Sequence, residues 1–288
     1  MTPCFFATDL HGSQGRYRAL AAAIARERPR AVFLGGDLLP SGWLTATQAQ
    51  LGHGEFVADF LHPLLAELRQ HLGDAYPRVL LILGNDDVAA VLPSIAHGEA
   101  DGLWEHLHQR RTGLAGFSVC GYACVPPTPF LLKDWERYDV SRYTDPGSFG
   151  PEEGYHSVPF SESEARHGTI ARDLEELLGD GDLSRTVLLL HAPPHDTSLD
   201  RAALDGKTVD HAPLDVHVGS VAIRRLIEAR QPWLTLHGHV HESTRITGTF
   251  LDRMGRTIMI QGAHDGPELA LVRFDIEAPE HATRELLT

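Results

Sequence analysis

Short apolar runs of strand length recur along the chain, and a polar motif rich in Asp, Asn or His closely follows each one. In open α/β sheets, the segments beyond the carboxyl ends of the strands meet in one crevice, so motifs far apart in sequence can share a site. This arrangement favours an α/β fold with its chemistry at one edge. The runs are residues 4–7, 31–34, 79–83, 187–190 and 233–236, and the motifs are Asp9-Leu10-His11, Gly35-Gly36-Asp37, Gly84-Asn85-Asp86-Asp87, His191 and Gly238-His239-Val240-His241.

The residue types and their spacing indicate metal ligands. Side chains two positions apart on an extended segment point the same way, so Asp9 with His11 and His239 with His241 are spaced as ligand pairs. Taken singly, each motif also fits a capped turn or an ordinary strand end. Together they favour a ligand set for two metal ions. Oxygen and imidazole donors without a thiolate suit divalent ions such as Mn, Fe or Zn.

In this order the motifs resemble the signature of the calcineurin-like metallophosphoesterases, which is D-x-H, G-D, G-N-H-(D/E), H and G-H-x-H. The stretch from Leu188 to Glu242 is similar to the Icc-related subgroup of that family, and the whole resemblance runs from Phe5 to about Phe274. The resemblance implies a dinuclear metal-dependent phosphoester hydrolase, with two Mn ions expected and Fe, Zn or Mg as alternatives. The subgroup features are His191-Ala192-Pro193-Pro194, Asp200-Arg201, Val218-Gly219-Ser220, Gln231-Pro232 and the run from Gly238 to Glu242.

The resemblance also implies a role for each ligand. Two ions roughly 3.5–4 Å apart need a shared ligand, and the carboxylate of Asp37 is the candidate bridge. A water between the ions would lose a proton near neutral pH and attack phosphorus in line, while the ions stabilise the charge on the phosphoryl oxygens. By resemblance, one ion is held by Asp9, His11 and His241, and the other by Asn85, His191 and His239.

The third motif departs from the family, because Asp86 stands where the family has a histidine that contacts the phosphate and assists the leaving group. A carboxylate at this position should repel a dianionic monoester, which predicts small nucleotide-like phosphodiesters as substrates. Three residues are therefore candidates for the catalytic proton donor: Asp86, His195 and His264. Nearby cations lower the pKa of a carboxyl group, which favours a histidine. The stiff Pro193-Pro194 pair before His195 favours that residue.

The periodicity of the chain predicts its layers. Helical spacing at residues 17–25, 56–72, 163–178 and 221–229 alternates with the apolar runs, so the strands joined by the first two helices are predicted to be parallel. Residues 244–260 alternate around Asp252-Arg253-Met254-Gly255 as a hairpin does, and residues 269–276 form the predicted last strand. This mixture predicts two facing mixed sheets flanked by helices. The four-layer α/β/β/α sandwich is also the fold that the resemblance implies.

All 288 residues are assigned to one metallophosphoesterase domain, with insertions predicted at about 40–54 and 126–159. Long loops in compact domains are often functional lids, and the second insertion contains several aromatic residues. It is predicted to form a cap that covers the substrate. The alternative is a surface loop without a role in substrate binding. Among the other histidines, His237 is predicted to pack or hydrogen-bond. The remaining four that we considered, His53, His97, His106 and His108, are predicted to lie at the surface.

The formal net charge of −14 opposes binding to nucleic acid or to an anionic membrane, because such partners need clustered Lys and Arg. Three cysteines are too few for a disulfide framework, and no apolar run approaches the ~20 residues of a membrane span, so a cytoplasmic location is expected. The expected partner is a small phosphoester, and the chain carries no signal for an oligomeric state. Two alternatives stay open: a metal-binding scaffold with little turnover, and a nuclease, which the missing basic track opposes.

Overall fold

The computed structural model describes residues 1–41 and 56–288, and in these residues two mixed six-stranded sheets face each other with helices packed against them. The first sheet has, in spatial order, the strands Ala278–Leu287 (β14), Leu269–Asp275 (β13), Pro3–Ala7 (β1), Ala31–Gly35 (β2), Arg78–Ile82 (β3) and Glu105–His106 (β4). The second has Leu251–Met254 (β11), Thr257–Gln261 (β12), Leu234–His237 (β10), Thr186–Leu190 (β7), Phe117–Tyr122 (β6) and Arg110–Leu114 (β5). The predicted four-layer α/β/β/α sandwich is therefore confirmed. None of the helices in the described residues is long and apolar enough to cross a membrane.

The first sheet begins with two strand and helix units. Strands β1 (Pro3–Ala7), β2 (Ala31–Gly35) and β3 (Arg78–Ile82) pair in parallel, as predicted, and their central residues are buried. Helix α1 (Gln14–Glu27) starts at the side-chain cap of Ser13, and helix α2 spans His62–Leu72. A π-helical stretch, Val57–Leu61, leads directly into α2. Regular α-helix resumes in the turn that contains Pro63, which has no N–H to donate and is tolerated in a first turn.

The rest of the chain builds the second sheet and closes the first. Each helix of this part lies between strands, and the last two strands run antiparallel on the first sheet. The helices are α3 (Leu92–Ala100), α4 (Glu162–His167), α5 (Ile170–Leu178), α6 (Val221–Arg230) and α7 (Ser243–Thr247). The strands are β4 (Glu105–His106), β5 (Arg110–Leu114), β6 (Phe117–Tyr122), β7 (Thr186–Leu190), β8 (Thr208–Val209), β9 (Ala212–Pro213), β10 (Leu234–His237), β11 (Leu251–Met254), β12 (Thr257–Gln261), β13 (Leu269–Asp275) and β14 (Ala278–Leu287).

The prediction of one continuous helix over residues 163–178 is wrong. The helix breaks at Gly168 and Thr169, whose backbones are both extended. The hydroxyl of Thr169 caps α5 by accepting a hydrogen bond from Arg172 N at 3.2 Å. Ile170 N donates to the carbonyl of Tyr138 at 2.8 Å, so the break lets the preceding loop pair with the helix start.

Two predictions near the carboxyl terminus need correction. The hairpin predicted over 244–260 is restricted to β11 and β12, since residues 243–247 form a short helix that ends at Gly248 with φ 78°. The strand predicted at 269–276 is present but is not the last, because β14 continues the sheet beyond β13. Strand β14 lies at the sheet edge, and nearly all of its positions are half-buried or exposed. Its side chains are therefore mostly polar, and an apolar pattern does not detect it.

The predicted insertion at 126–159 is an irregular segment that two aspartates hold to the fold. Asp134 accepts hydrogen bonds from Ala89 N at 2.7 Å and from Ser157 N at 2.9 Å. Asp139 accepts from Ser220 Oγ at 2.6 Å and from two backbone amides at the start of α6. The segment thus joins the loop after β3 to the loop before α6. The other predicted insertion, 40–54, lies outside the described residues except for Pro40 and Ser41.

Candidate metal centre

The five predicted motifs meet at the carboxyl ends of their strands. Strands β1, β2 and β3 are neighbours in one sheet, β7 and β10 are neighbours in the other, and the two sheets face each other. The loops that follow these strands therefore enter one crevice from two sides. One donor atom from each of Asp9, His11, Asp37 and His241 lies within 4.8 Å of the other three, in a group that is partly buried.

The first group of donors surrounds His241. Its Nε2 lies 3.1 Å from Asp9 Oδ1 and 3.1 Å from His11 Nε2. His11 Nε2 lies 3.9 Å from Asp37 Oδ2. Ligands that bind a first-row metal at about 2.0–2.2 Å are separated from one another by roughly 3–3.5 Å, so this spacing fits one ion. The donor set is two imidazoles and two carboxylates.

The second group of donors surrounds His191. Its Nε2 lies 3.4 Å from Asp37 Oδ2 and 3.2 Å from Asn85 Oδ1. Its Nδ1 donates to the carbonyl of Gly35 at 2.8 Å, which turns Nε2 toward the crevice. The ring of His239 lies 5.3 Å from that of His191 between centroids. The Oδ2 atom of Asp37 thus stands between the two donor groups, as a bridging ligand would.

The extended geometry that we expected for the paired ligands is wrong. Asp9, His11, Asp37 and His239 all have left-handed backbones, with φ of 54°, 44°, 50° and 72°. The loops after β1 and β2 instead run side by side, because Asp9 N donates to Gly36 O and His11 N donates to Asp37 O, both at 2.9 Å. A left-handed conformation costs a non-glycine residue about 1–3 kcal/mol, and such strain clusters at functional sites. These side chains are therefore oriented by hydrogen bonds between loops and not by the alternation of side chains along an extended strand.

Two glycines of the motifs are required by close approach. Gly36 has φ 100°, and a Cβ there would collide with the His191 ring. A Cβ on Gly84 would collide with both Asp37 and His191. The crevice can close around the ligands only because these positions have no side chain.

The protein charges of this centre balance one another when no metal is bound. Burial opposes ionisation of Asp37, but His191 and His11 hold the pKa of its carboxyl well below its usual range. Burial likewise disfavours the charged form of His191, yet Asp37 and Asp9 raise its pKa to about 9. The pKa of His11 is also raised to about 9, against burial, by Asp86 and Asp37. His11 and His191 thus hold a proton more tightly than a free imidazole does, and a metal ion bound at their nitrogens would displace it.

His239 differs from its neighbours, because burial and the adjacent His191 lower its pKa to about 4. Its imidazole is therefore neutral and has a lone pair to donate. Its backbone N–H donates to Asp9 Oδ1 at 3.0 Å, which ties the last motif to the first.

Sequence reasoning assigned no role to Asp87 or Arg16, and both organise the centre. The buried carboxylate of Asp87 accepts from Leu38 N at 3.1 Å, Leu39 N at 2.8 Å and Gly84 N at 2.9 Å. Burial, followed by the charge of Asp37, raises the pKa of Asp87 to about 7. Arg16 donates to the carbonyl of Asp9 at 2.6 Å. The acidic residue that closes the third motif was the available signal for Asp87.

Asp86 lies in the centre, beside a predicted ligand. Its Oδ2 is 3.3 Å from His11 Nδ1, and its backbone N donates to Asp37 Oδ1 at 2.8 Å. Ser41 Oγ donates to Asp86 Oδ1 at 3.2 Å. Since His11 turns its Nε2 toward the other donors, Asp86 is placed to hold the remaining ring nitrogen.

The two candidate acid histidines contact other groups. His195 Nε2 lies 3.3 Å from Asp215 Oδ2, in a loop whose next residues are bound by the buried carboxylate of Asp200. His264 Nε2 lies 3.1 Å from Glu268 Oε2. Among the described residues, neither side chain has a hydrogen bond or ion pair with a predicted metal ligand.

The remaining histidine predictions have mixed outcomes. His237 is buried between Ala192 O, to which its Nδ1 donates at 2.9 Å, and the Thr235 hydroxyl at 2.7 Å, so its packing role is confirmed. His97 is exposed as predicted. The surface prediction for His108 is wrong, because its ring packs on Tyr122 and Trp135 and its Nδ1 accepts from Ala123 N at 3.0 Å. His106 is half-buried, and His53 lies outside the described residues.

Comparison with known proteins agrees with this geometry. The family model of the calcineurin-like phosphoesterases matches residues 2–243. Uncharacterized protein MJ1162 of Methanocaldococcus jannaschii is 36% identical over 81 residues, a match that spans 27% of this chain and 31% of that protein.

Two solved structures share the fold. The structure of TT1561 of Thermus thermophilus superposes with a TM-score of 0.55 at 15% identity, over 100% of this chain and 99% of that one. A dimetal phosphatase from Danio rerio gives a TM-score of 0.52 at 13% identity, over 94% of this chain and 91% of that one. At these identities the likeness concerns the fold alone.

Proposed function

The chain belongs to the calcineurin-like phosphoesterase family, and from that premise we propose that it is a dinuclear metal-dependent hydrolase of small, nucleotide-like phosphodiesters. The observation that carries this proposal is the position of Asp37, whose Oδ2 lies 3.9 Å from His11 Nε2 and 3.4 Å from His191 Nε2. One carboxylate between two sets of donors is what a pair of neighbouring ions requires. The donor set suits Mn, and equally Fe or Zn.

When bound, two divalent ions would supply a hydroxide nucleophile near neutral pH and offset the charge of the phosphoryl oxygens. The residues of the chain would bind the ions and orient the ligand side chains. Asp9, His11 and His241 would hold one ion, Asn85, His191 and His239 the other, and Asp37 both. Gly35 O fixes the tautomer of His191, and Asp86 fixes that of His11. Preorganised donors of this kind need little rearrangement when the substrate arrives.

The charge of the crevice supports the diester preference. Asp86 is partly exposed at the centre, with about a third of its side chain open to solvent, and contacts a ligand histidine. A dianionic monoester would meet this carboxylate with one more negative charge than a diester would. A net charge of −14 likewise disfavours a long polyanion, so the proposed substrate is small.

The experiment that tests the proposal combines metal counting with turnover. Protein loaded with Mn²⁺ is expected to hold two ions per chain and to hydrolyse bis-p-nitrophenyl phosphate faster than p-nitrophenyl phosphate. Asp37→Asn should weaken binding of both ions and abolish turnover, whereas Asp182→Asn, an exposed surface carboxylate near Arg256, should do neither. Fewer than one ion per chain at saturation would overturn the dinuclear assignment. Two ions without turnover on either ester would favour the scaffold alternative.

A further inference from the structure

A second cluster of metal-ligating side chains lies on the helices, and it shares no residue with the centre described above. His62 is the first residue of α2, and His97 and Asp101 lie at the end of α3. His62 Nε2 is 2.7 Å from Asp101 Oδ2, and His97 Nε2 is 3.6 Å from the same oxygen. The three donor atoms lie within 4.8 Å of one another.

The geometry of this cluster matches that of a bound transition metal. Ligands at about 2.0–2.1 Å from a tetrahedral ion are separated by ~3.4 Å, which falls between the two measured spacings. The imidazole rings of His62 and His97 are nearly parallel, at 13°, with centroids 5.3 Å apart. Both rings therefore present Nε2 to the same carboxylate oxygen. An ion bound here would replace the hydrogen bond between His62 Nε2 and Asp101 Oδ2.

The three ligands stand on rigid supports. His97 and Asp101 are four residues apart at a helix end, and such positions lie on one face. His62 packs edge-on against Trp104, whose Nε1 donates to Ile95 O at 2.9 Å. Arg69 donates to the backbone carbonyl of Asp101 and so fixes that residue without using its carboxylate.

The cluster is also accessible. His62 and Asp101 line a surface cavity of about 520 Å³, and 71% of the His97 side chain is exposed. Three protein ligands on one side leave a fourth position open to water, as in tetrahedral zinc sites that keep an exchangeable ligand.

We propose that His62, His97 and Asp101 form a peripheral binding site for a divalent transition metal, Zn²⁺ by preference, that links α2 to α3. Two imidazoles and one carboxylate suit Zn²⁺ better than Mg²⁺ or Ca²⁺, which favour oxygen ligands. The site is independent of the dinuclear centre, so it stands whether or not that centre catalyses hydrolysis.

The first test locates the ion by histidine protection. The intact protein is treated with diethyl pyrocarbonate, with and without Zn²⁺, and modified histidines are identified by peptide mass analysis. Zn²⁺ should reduce modification of His97 and His62 at least several-fold, and EDTA should restore it. His71, an exposed histidine on the same helix as His62, is the internal control and should react equally in both conditions. Unchanged modification of His97 at saturating Zn²⁺ would overturn the site.

The second test counts ions by difference. His97→Ala and Asp101→Asn should each bind one Zn²⁺ fewer per chain than the natural protein, while His71→Ala should bind the same number. Turnover of the phosphodiester should be unchanged in all three variants. Because the readout is a difference, it does not depend on how many ions the dinuclear centre holds. Equal zinc counts in His97→Ala and the natural protein would contradict the proposal.

Discussion

At the residue scale, the carboxylate of Asp86 is best explained by its contact with the imidazole of His11. The contact of 3.3 Å to His11 Nδ1 places a carboxylate behind a predicted ligand, an arrangement that fixes the tautomer and raises the basicity of the ligand. Asp86→Asn keeps the shape and removes the charge, so we expect Mn²⁺ affinity to fall about 10–100-fold. Isothermal titration with Mn²⁺ measures this, with the exposed Asp182→Asn as the matched control. An unchanged affinity would mean that Asp86 does not support His11.

The same position should also control ester preference. Asp86→His introduces the residue of the family pattern and removes a negative charge beside His11. We expect the ratio of monoester to diester turnover to rise, because the dianionic ester loses the larger repulsion. The ratio of kcat/KM for p-nitrophenyl phosphate and bis-p-nitrophenyl phosphate is the measurement. If metal binding is intact and the monoester rate does not rise, electrostatic exclusion by Asp86 is not the cause of any diester preference.

The predicted candidates for the proton donor to the leaving group are Asp86, His195 and His264, and the prediction favours His195. His195 is held by Asp215 in the loop after β7, and His264 is held by Glu268 in the loop after β12. General-acid assistance contributes about 10²–10⁴ in rate, but only when the leaving group needs a proton. We expect His195→Ala to lower turnover of an alkyl phosphodiester by ~10² or more and to spare a nitrophenyl ester. His264→Ala is the comparison, and the selective loss identifies the donor. Equal losses on both esters would assign His195 a structural role.

At the scale of elements, the buried strands and the polar motifs that follow them could be predicted from sequence, because a parallel strand covered on both faces is a continuous apolar run. Strands β2 and β7 are buried along their whole length. Strand β14 could not be found that way, since a half-exposed edge strand is polar. The left-handed backbone of Asp9 depends on a hydrogen bond to Gly36, in the loop after the next strand, which no local pattern encodes.

The irregular segment after β6 depends on a buried ion pair. The side chains of Lys133 and Glu136 are fully buried, with Nζ to Oε2 at 2.6 Å, and Glu136 also accepts from Thr128 N at 2.9 Å. Removing one partner of such a pair leaves an uncompensated buried charge, at a cost of about 3–5 kcal/mol. We expect Lys133→Met to lower the free energy of unfolding by that amount in urea denaturation, and Lys133→Met with Glu136→Gln to recover most of it.

The control for this prediction is an exposed pair. Arg172 and Glu176 lie four residues apart on a helix, at 2.8 Å, with about two thirds of each side chain exposed. Arg172→Met should change the free energy of unfolding by less than ~1 kcal/mol, because solvent screens such pairs. If Lys133→Met and Arg172→Met lowered the free energy of unfolding by similar amounts, burial of the ion pair would not determine the size of the loss.

At the scale of the whole molecule, the two sheets meet at the candidate metal centre. The negative charge of its carboxylates must be offset there by protonated imidazoles or by metal ions. Asp9 and Asp37 come from the first sheet, while His191 and His241 come from the second. In metal-free protein the attraction between the sheets at this edge depends on protonated imidazoles. The stability of the fold is therefore linked to both pH and metal.

The sign of this linkage follows from the pKa values. The pKa of His11 and of His191 is raised from 6.5 to about 9, so each contributes stability that is complete below pH 6.5 and is lost as pH rises through 9. The lowered pKa of Asp37 acts only at acid pH, where its contribution is lost as pH falls below 3.8. The pKa values of Asp87 and Glu136 are raised to about 7, so these two groups change the stability of the fold mainly below pH 7. Between about pH 7 and 9 the metal-centre histidines therefore dominate the change in stability, and the buried thiols of Cys4, Cys120 and Cys124, whose pKa values are raised from 9.0, add to the loss only near the upper end.

We expect the Tm of chelated protein to fall from pH 7 to 9, and the Tm of Mn²⁺-saturated protein to stay nearly level, because the ions bind the deprotonated imidazoles. The stabilisation by Mn²⁺ should consequently grow with pH across that interval. Thermal unfolding followed by circular dichroism, in EDTA and in Mn²⁺, measures both curves. His11→Gln should flatten the chelated curve, since one titrating imidazole is gone, whereas the exposed His71→Gln should leave it unchanged. A chelated Tm that is constant over this interval would mean that protonated histidines do not stabilise the junction between the two sheets.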